Sequence, residues 1–312
     1  MENIVDSSKI KILICCHKAC DLPKDDIFLP IQVGAAISNV DLGIQRDDQI
    51  NGVRCDNISD KNQSFCELTA LYWAWKNIKT IYPNLKYIGL NHYRRFFSFD
   101  EKNMLSDFIS RPLNSISNYQ INHAKLENIL KNGNVILSQK RDYPYSIDID
   151  YMYHHISDDF IILQYVVHTL YPEYDDAFYE VLMRNNTLSP YNMNIMEWNL
   201  FDKYCKWLFD ILEDCERRIS ISQYNPLQKR IFGYMAERLL NVFVYKNCKK
   251  VKLLNVYFYD DNTSVPRQNF LKKYIIKIRN KICGILFSHT REKMESLRQV
   301  CCNRMKLIGQ KV

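Results

Sequence analysis

Glycine and proline, the residues that most often mark loops and repeats, are scarce in this chain, with 8 Gly and 9 Pro in 312 residues. Their scarcity disfavours a linker-rich or repetitive architecture, and no internal repeat is visible. The 11 cysteines include no Cys-x-x-Cys pair, which disfavours a zinc ribbon. The N-terminus lacks a basic stretch followed by an apolar core, so we expect no signal peptide, reduced thiols and a cytoplasmic protein.

Most of the chain has no excess of positive charge. The excess lies in the C-terminal residues. From residue 267 onward there are 12 Lys and Arg against two Glu, whereas residues 1–266 carry a net charge of about −3. The apolar residues of this end are interrupted by Lys277, Arg279 and Lys281, so the segment does not predict a membrane-spanning helix.

We therefore predict two domains, a globular domain over 1–262 and a basic, helical, amphipathic segment over 263–312. Isoleucines interleaved with lysines favour adsorption of this segment to an anionic membrane, which would make the protein peripheral on the inner face of the cell membrane. A solvated helix packed on the globular domain is the alternative. Nucleic acid is not expected as a partner, because the globular domain is net acidic and shows no nucleic-acid-binding motif.

Short apolar runs alternate with longer amphipathic segments along the globular domain. The β-branched apolar runs predict strands at 9–16, 86–90, 135–138, 192–196 and 251–257, with a loop and a short element at 29–36. The helical spacing of apolar residues predicts helices over 64–78, 158–170, 173–183, 200–215 and 228–244. Strands that alternate with helices are typical of an α/β protein, here with a mixed sheet flanked by helices.

The most informative stretch is YIGLNHYRRFF, in which a predicted strand leads into His92, Tyr93, Arg94 and Arg95. Open α/β sheets usually bind ligands where their strands end, and His17 follows the first predicted strand as a candidate nucleotide contact. A guanidinium group presents a planar fork of donors that suits phosphate oxygens. The sequence therefore predicts a pocket for a di-anionic ligand such as the diphosphate of a sugar nucleotide.

Several ordered motifs along residues 9–257 resemble one bacterial family, the domain of unknown function 4422, which is found in capsule and O-antigen loci and is regarded as a glycosyltransferase family. The motifs are CHK, LPIQVGAA, DNIS-x-KN-x-x-x-CELTALYWAWKN, YIGLNHYRRFF, NMNIM, and F-x-x-YC-x-WLFDIL leading to R-x-FGYMAERLLNV. The resemblance implies a GT-A-like, Rossmann-related fold and a nucleotide-sugar donor, with UDP as the expected nucleotide. It also implies transfer to a capsular polysaccharide, O-antigen or exopolysaccharide precursor, such as a lipid-linked oligosaccharide. Some members are associated with galactofuranose transfer, so galactofuranose or galactose is the candidate sugar.

The resemblance raises the question of how the donor diphosphate is held. Many GT-A enzymes use a divalent metal on an Asp-x-Asp pair, and no such pair follows the strand that leads into His92. We expect Arg94 or Arg95, together with His92, to replace the charge of the metal. No cofactor is firmly implied, and dependence on Mg²⁺ or Mn²⁺ is left open.

Further donor contacts are implied for the residues before and within the aromatic helix. The helix amides and Lys61 would face phosphate, Asp56 and Asn57 would hold the ribose or the base, and Asn62 lies in the same stretch. Glu67, one turn into the helix, would orient an arginine of the His-Tyr-Arg-Arg group. Helix capping is the alternative role for Asn57 and Asn62.

An inverting transferase needs a general base for the acceptor hydroxyl, usually Asp or Glu. We predict Glu237 as this base, Asp159 as a second catalytic carboxylate and Arg238 as an acceptor contact. A structural Glu–Arg contact is the alternative, and a retaining reaction would need no such base. Asn192 and Asn194 are predicted to line the acceptor side, although the family more usually carries an apolar aromatic residue where Asn194 stands.

Two other classes of protein compete with the transferase interpretation. A non-catalytic scaffold of a polysaccharide assembly complex would keep the transferase fold, because fold alone does not establish activity. A nucleic-acid-binding protein would act through the basic end and would bind nucleic acid without binding a sugar nucleotide.

Overall fold

The computed structural model describes residues 7–104, 106–261 and 270–286, and the chain divides into two compact units. The first unit is made of Met1–Gln139, Ser189–Lys206 and Cys248–Arg267, and the second of Lys140–Leu188, Trp207–Asn247 and Gln268–Val312. The sequence did not predict this division, because a chain that passes repeatedly between two units has no single linker to recognise. The boundary predicted at 262/263 lies outside the described residues and stays a prediction.

The described residues contain these strands: β1 (Ile10–Cys16), β2 (Phe28–Gln32), β3 (Gln45–Arg46), β4 (Gln49–Ile50), β5 (Val53–Arg54), β6 (Tyr87–His92), β7 (Arg95–Phe97), β8 (Phe108–Pro112), β9 (Val135–Ser138), β10 (Arg141–Asp142), β11 (Thr187–Leu188), β12 (Asn194–Glu197), β13 (Val251–Leu254) and β14 (Val256–Asp260). The α-helices are α1 (Asn62–Phe65), α2 (Leu68–Ile81), α3 (His123–Lys131), α4 (Ile147–His154), α5 (Ser157–Leu170), α6 (Asp175–Phe178), α7 (Trp198–Arg218), α8 (Ile231–Asn247) and α9 (Phe270–Leu286).

Ten strands of the first unit form one mixed sheet, whose main path runs in the order β13, β9, β12, β6, β1, β2, β3. β1 lies parallel to β2 and β6, whereas β12 lies antiparallel to β6 and β9. β14 extends the sheet by pairing with β7 and β8. All residues of β1 are buried, as expected for a central strand covered on both faces. The mixed sheet and its helices confirm the predicted α/β class.

The predicted helix over 64–78 is wrong in one respect, because the chain breaks it near its start. α1 ends at Phe65, and Cys66 has a φ of +54°, which a right-handed helix cannot contain. The side chain of Asn62 donates to the Cys66 carbonyl at 2.7 Å and stabilises this break. The predicted strand over 251–257 is likewise divided, because Asn255 turns its side chain to the carbonyls of Asn103 and Ser106.

The second unit is mainly helical and packs around aromatic side chains. Tyr174 stacks on Trp207 with ring centroids 4.7 Å apart, and Trp207 also contacts Phe243 at 5.5 Å. The segment predicted as a helix over 173–183 is α6 with a short turn on either side, the second of them a π turn at Tyr179–Met183. α9 agrees with part of the predicted C-terminal helix, and the rest of that segment lies outside the described residues. Within the described part of the chain, every helix is too short or too polar to cross a bilayer.

Candidate functional site

The carboxyl ends of β1 and β6 bring the predicted cationic residues of the first unit together. Parallel pairing sets Cys15 opposite His92, so the residues that follow each strand emerge side by side. The rings of His17 and Tyr93 meet edge to face, with centroids 4.8 Å apart. Lys18 and Arg94 also approach the Tyr93 ring, at 5.7 Å and 5.2 Å from its centroid. Three positively charged or titratable groups therefore surround one phenol ring at this edge of the sheet.

Arg94 is loosely paired with two carboxylates. Its Nη1 lies 3.6 Å from Oδ1 of Asp260, and its Nη2 lies 3.6 Å from Oδ2 of Asp261. These distances exceed those of a bidentate Arg–carboxylate hydrogen bond. Its Nε is buried and has no hydrogen-bond partner in the described part of the chain. The guanidinium therefore keeps donors that an incoming anion could use.

Arg95 is held by rings instead of carboxylates. Its guanidinium carbon lies 4.8 Å from the centroid of Tyr191 and 5.0 Å from that of Phe258. Its Nε is buried without a hydrogen-bond partner, and no carboxylate of residues 7–104, 106–261 or 270–286 forms an ion pair with it. A half-buried cation without a neutralising anion is costly, which is the arrangement expected where a ligand supplies the negative charge.

His92 is occupied by the backbone of a neighbouring turn. Its Nε2 lies 2.6 Å from the carbonyl oxygen of Tyr191, so this nitrogen donates a hydrogen bond there. The Tyr191 hydroxyl donates to Asp107 at 2.7 Å. His92 and Asp107 therefore position the aromatic ring that holds Arg95. Sequence reasoning missed Tyr191 and Asp107, because nothing local to either residue points to the arginine.

Backbone strain is concentrated beside this site. Four non-glycine residues among those described have positive φ, and three of them are Cys66, Tyr191 and Asn192, at +54°, +79° and +55°. The Asn192 side chain donates to the Glu67 carboxylate at 2.7 Å, which joins the two strained segments. Strained backbone held by its surroundings is typical of functional sites.

Glu67 bonds to Asn192 in this structure, and its predicted role in orienting an arginine stays a prediction. Its carboxylate accepts from Asn192, and no arginine of the described residues forms an ion pair with it. Burial, and then the charge of Glu67, raise the pKa of Cys15 in β1. The structure thus joins a residue predicted for the donor side to one predicted for the acceptor side. Asn194, also in this unit, is buried and donates to the Asn192 carbonyl at 3.0 Å.

The residues before α2 serve mainly the local backbone. Asn57 accepts from the Ser59 amide at 3.1 Å and donates to the Cys55 carbonyl at 2.7 Å. These bonds, and those of the Asn62 amide described above, hold the local backbone, and neither side chain makes the N-cap hydrogen bond of α1 or α2 that was the alternative. Asp56 accepts from a tyrosine hydroxyl at 3.2 Å, and Lys61 lies over a phenylalanine ring at 5.7 Å. Their donor contacts stay predictions.

A carboxylate that sequence reasoning missed shapes the loop after β2. Asp47 is fully buried and accepts from the amides of Gly34 at 2.8 Å and Ala35 at 3.0 Å, and from the Ser59 hydroxyl. Gly34 has a φ of +68°, and a Cβ there would lie 2.8 Å from the Asn62 side chain. Asp47 was missed because it lies in a charged run, which predicts a solvated turn.

The predicted catalytic carboxylates belong to the second unit. The Arg238 side chain is buried, its Nη1 lies 2.9 Å from Oε2 of Glu237, and its Nη2 lies 3.7 Å from Oδ2 of Asp150. The guanidinium also packs over the Tyr151 ring at 5.2 Å. Burial raises the pKa of Asp150, against the opposing effect of Arg238. Glu237 therefore makes the structural Glu–Arg contact that was the alternative to its role as base.

In the same unit, the pKa of Asp159 is raised and the pKa of His155 is lowered. Burial raises the pKa of Asp159 to about 6, although the Tyr224 hydroxyl donates to it at 2.8 Å. Burial and then the charge of Arg238 lower the pKa of His155 to about 4. The His155 ring stacks on Tyr234 with centroids 4.1 Å apart.

The described residues contain no group of three or more His, Cys, Asp or Glu side chains arranged to hold a metal ion. Metal dependence therefore stays a question for experiment, because donor phosphates can themselves supply metal ligands.

The chain is similar to one solved structure and matches one family model. A solved structure of the WbbM bifunctional glycosyltransferase in its apo form matches it with a TM-score of 0.69 and 29% sequence identity. The match covers 81% of this chain and 45% of that chain, so the present chain spans less than half of the WbbM length. No curated protein matches the chain. The family model of a domain of unknown function, DUF4422, matches residues 11–248, and the chain therefore belongs to that family.

Proposed function

We propose that this protein is a glycosyltransferase whose first unit binds the diphosphate of a nucleotide sugar at the carboxyl ends of β1 and β6. The observation that carries the proposal is the half-buried Arg95, held between two aromatic rings without a carboxylate partner among the described residues. The fold likeness to a glycosyltransferase supports it. A diphosphate would supply the negative charge that neutralises the Arg95 guanidinium.

The chemistry of the reaction fits this set of cations. As the bond between the sugar and the diphosphate breaks, negative charge grows on the departing phosphate oxygens, and fixed cations stabilise that charge. Arg95 would contact the diphosphate directly. Arg94 would exchange its long contacts with Asp260 and Asp261 for shorter contacts with phosphate oxygens. Lys18 would add a further positive charge, and His17 would offer a ring nitrogen to the ligand.

Asp159 and Glu237 stay proposals for the general base. A base works best when its pKa lies near the working pH. Asp159, with a pKa raised to about 6, meets this condition and is buried at the start of α5. Glu237 is held by Arg238 at 2.9 Å, which favours a positioning role for it. We therefore rank Asp159 before Glu237 as the base.

The substrates proposed are a nucleotide-linked sugar and a polysaccharide precursor. The donor is a UDP-linked hexose, with galactose or galactofuranose first to be tested, and the acceptor is a precursor of a surface polysaccharide. Asn192 and Asn194 would line the acceptor side next to Glu67, since Asn192 is bonded to that carboxylate.

The test is a binding screen of the purified chain against UDP-, GDP-, dTDP- and CMP-linked sugars, with and without Mg²⁺ or Mn²⁺. UDP and UMP are compared in parallel, because a diphosphate site must prefer UDP. We expect one nucleotide series to bind, with the diphosphate preferred by at least about tenfold. Equal affinity for UDP and UMP, or no binding of any nucleotide sugar with either metal, would show the proposal to be wrong.

Slow hydrolysis of the bound donor separates an enzyme from a scaffold. An active transferase is expected to release the sugar to water even when no acceptor is supplied. Donor binding with no hydrolysis, and no transfer to a lipid-linked acceptor, would identify a non-catalytic scaffold instead.

A further inference from the structure

Helix α9 is the most basic helix of the second unit. It packs on that unit through polar residues and exposes apolar ones. Its 17 residues include five Lys and Arg and no acidic residue. The helix is attached through polar groups. Asn280 is 5% exposed, its amide donates to the Asp142 carbonyl at 2.8 Å, and its own carbonyl accepts from Asn186 at 2.8 Å.

A glycine completes this polar attachment. Gly284 lies one turn after Asn280, and a Cβ at this position would come within 2.6 Å of the Asn186 side chain. The close approach requires glycine, so the face of α9 that carries Asn280 and Gly284 is the one packed on the unit.

The isoleucines of α9 occupy another face of the helix. Ile275, Ile278 and Ile282 follow the i, i+3, i+7 spacing that aligns side chains on one face. Ile278 is 40% exposed, Ile282 is 49% exposed, and Ile275 is more exposed still. An ordinary surface helix turns such a stripe toward the core, whereas α9 turns it toward solvent. A contiguous exposed apolar stripe marks a surface that another body covers.

Basic residues flank the isoleucine stripe. At 100° per residue, Arg279 lies on one side of it and Lys281 on the other, and both are exposed. A cation on each side of an apolar stripe complements a surface with an apolar interior and anionic groups above it. Anionic lipid headgroups over acyl chains have this order, because isoleucines can insert while the cations meet headgroups.

We propose that the stripe of Ile275, Ile278 and Ile282 on α9 binds an anionic membrane surface, while Asn280 and Gly284 attach the helix to the second unit. The helix then lies along the membrane plane and does not cross it. This proposal is independent of the proposed transferase activity.

The experiment uses the full chain and co-sedimentation with vesicles of phosphatidylglycerol and phosphatidylcholine, compared with vesicles of phosphatidylcholine alone. We expect I278S/I282S to lower partitioning onto the anionic vesicles by about tenfold or more, because two exposed apolar side chains can no longer insert among the acyl chains. We expect Lys281→Gln to lower it by about fivefold, with little change on neutral vesicles.

L170S/L227S is the matched control, because Leu170 and Leu227 of the same unit are 42% and 58% exposed and lie outside α9. Thermal unfolding without vesicles checks that every variant is folded. Wild-type sedimentation of I278S/I282S would overturn the proposal. So would a concentration-dependent dimer that I278S/I282S abolishes without any vesicle binding, since the stripe would then bind a second copy of the chain.

Discussion

The side-chain amide of Asn192 donates a 2.7 Å hydrogen bond to the carboxylate of Glu67. This bond joins the turn before β12 to the start of α2, and Asn192 itself and Cys66, the residue before Glu67, have positive φ. Holding such backbone costs of the order of 1–3 kcal/mol for each residue, so the surrounding contacts must maintain it. The bond therefore fixes a carboxylate beside the candidate donor site of the first unit.

Replacing Glu67 tests whether this carboxylate has a functional role. We expect Glu67→Gln to fold normally, because the glutamine carbonyl can still accept from Asn192, and to lower transfer by about tenfold or more because the site loses a fixed charge. Donor hydrolysis and melting temperature are measured together. Glu127→Gln is the control, since Glu127 forms an exposed i,i+4 pair with Lys131. Full activity of Glu67→Gln would reduce the carboxylate to a structural role.

Removal of Arg95 should weaken donor binding more than removal of a surface arginine. We expect Arg95→Ala to raise the dissociation constant for the nucleoside diphosphate by about ten- to hundredfold, since charged hydrogen bonds contribute about 1.5–3 kcal/mol. Arg94→Ala should have a smaller effect, because Arg94 is already paired with two carboxylates. Calorimetric titration with UDP provides the measurement.

The control for both arginine variants is Arg111→Ala. Arg111 belongs to the same unit, pairs with Glu101 and packs over the Tyr257 ring at 4.8 Å, so it loses comparable contacts. Equal titration curves for Arg95→Ala and Arg111→Ala would contradict the assignment of Arg95 to the diphosphate.

A methyl group at Gly34 should disturb the loop after β2. Gly34→Ala combines a φ of +68° with a Cβ only 2.8 Å from the Asn62 side chain, whereas Gly133→Ala meets nothing within 4 Å at a φ of +71°. We expect Gly133→Ala to lower the free energy of unfolding by about 1 kcal/mol, and Gly34→Ala to lower it by about 2–4 kcal/mol. Urea titrations of both variants check this. Equal losses would show that the loop relaxes without cost.

Asp159 should make stability fall as pH rises. Its pKa is about 6 in the folded state against an ordinary value of 3.8, so the folded state binds more protons between these values. The free energy of unfolding therefore decreases from about pH 4 to about pH 6. We expect Asp159→Asn to remove this loss and to be more stable than wild type by about 1–3 kcal/mol at pH 8, with no gain at pH 4.

His155 supplies a control of opposite sign. Its pKa is about 4 when folded against an ordinary 6.5, so the folded state binds fewer protons and stability falls as pH drops through this range. His155→Phe should keep the stacking on Tyr234 and gain stability relative to wild type at pH 4, where Asp159→Asn gains least. Denaturant unfolding at a series of pH values measures both. Parallel profiles for the two variants would mean that neither group titrates as described.

Local patterns predicted those elements that depend on local chemistry. β1 and β9 were predictable because short runs made mostly of apolar residues fit a strand that is covered on both faces. β7 and β8 were not, because Arg95–Phe97 and Phe108–Pro112 are short and contain charged residues. The break at Cys66 was also missed, since left-handed backbone at a cysteine has no sequence signal.

The sequence by itself determined the family, the α/β class and the grouping of His92, Arg94 and Arg95, because these follow from contiguous residues and from motifs in order along the chain. Only the tertiary structure decided that Arg95 lies between Tyr191 and Phe258, that Glu67 meets Asn192, and that α9 turns its isoleucines outward. These relationships join segments far apart in the chain. Periodicity and propensity act over a few residues, whereas such contacts arise only when the sheet and helices pack.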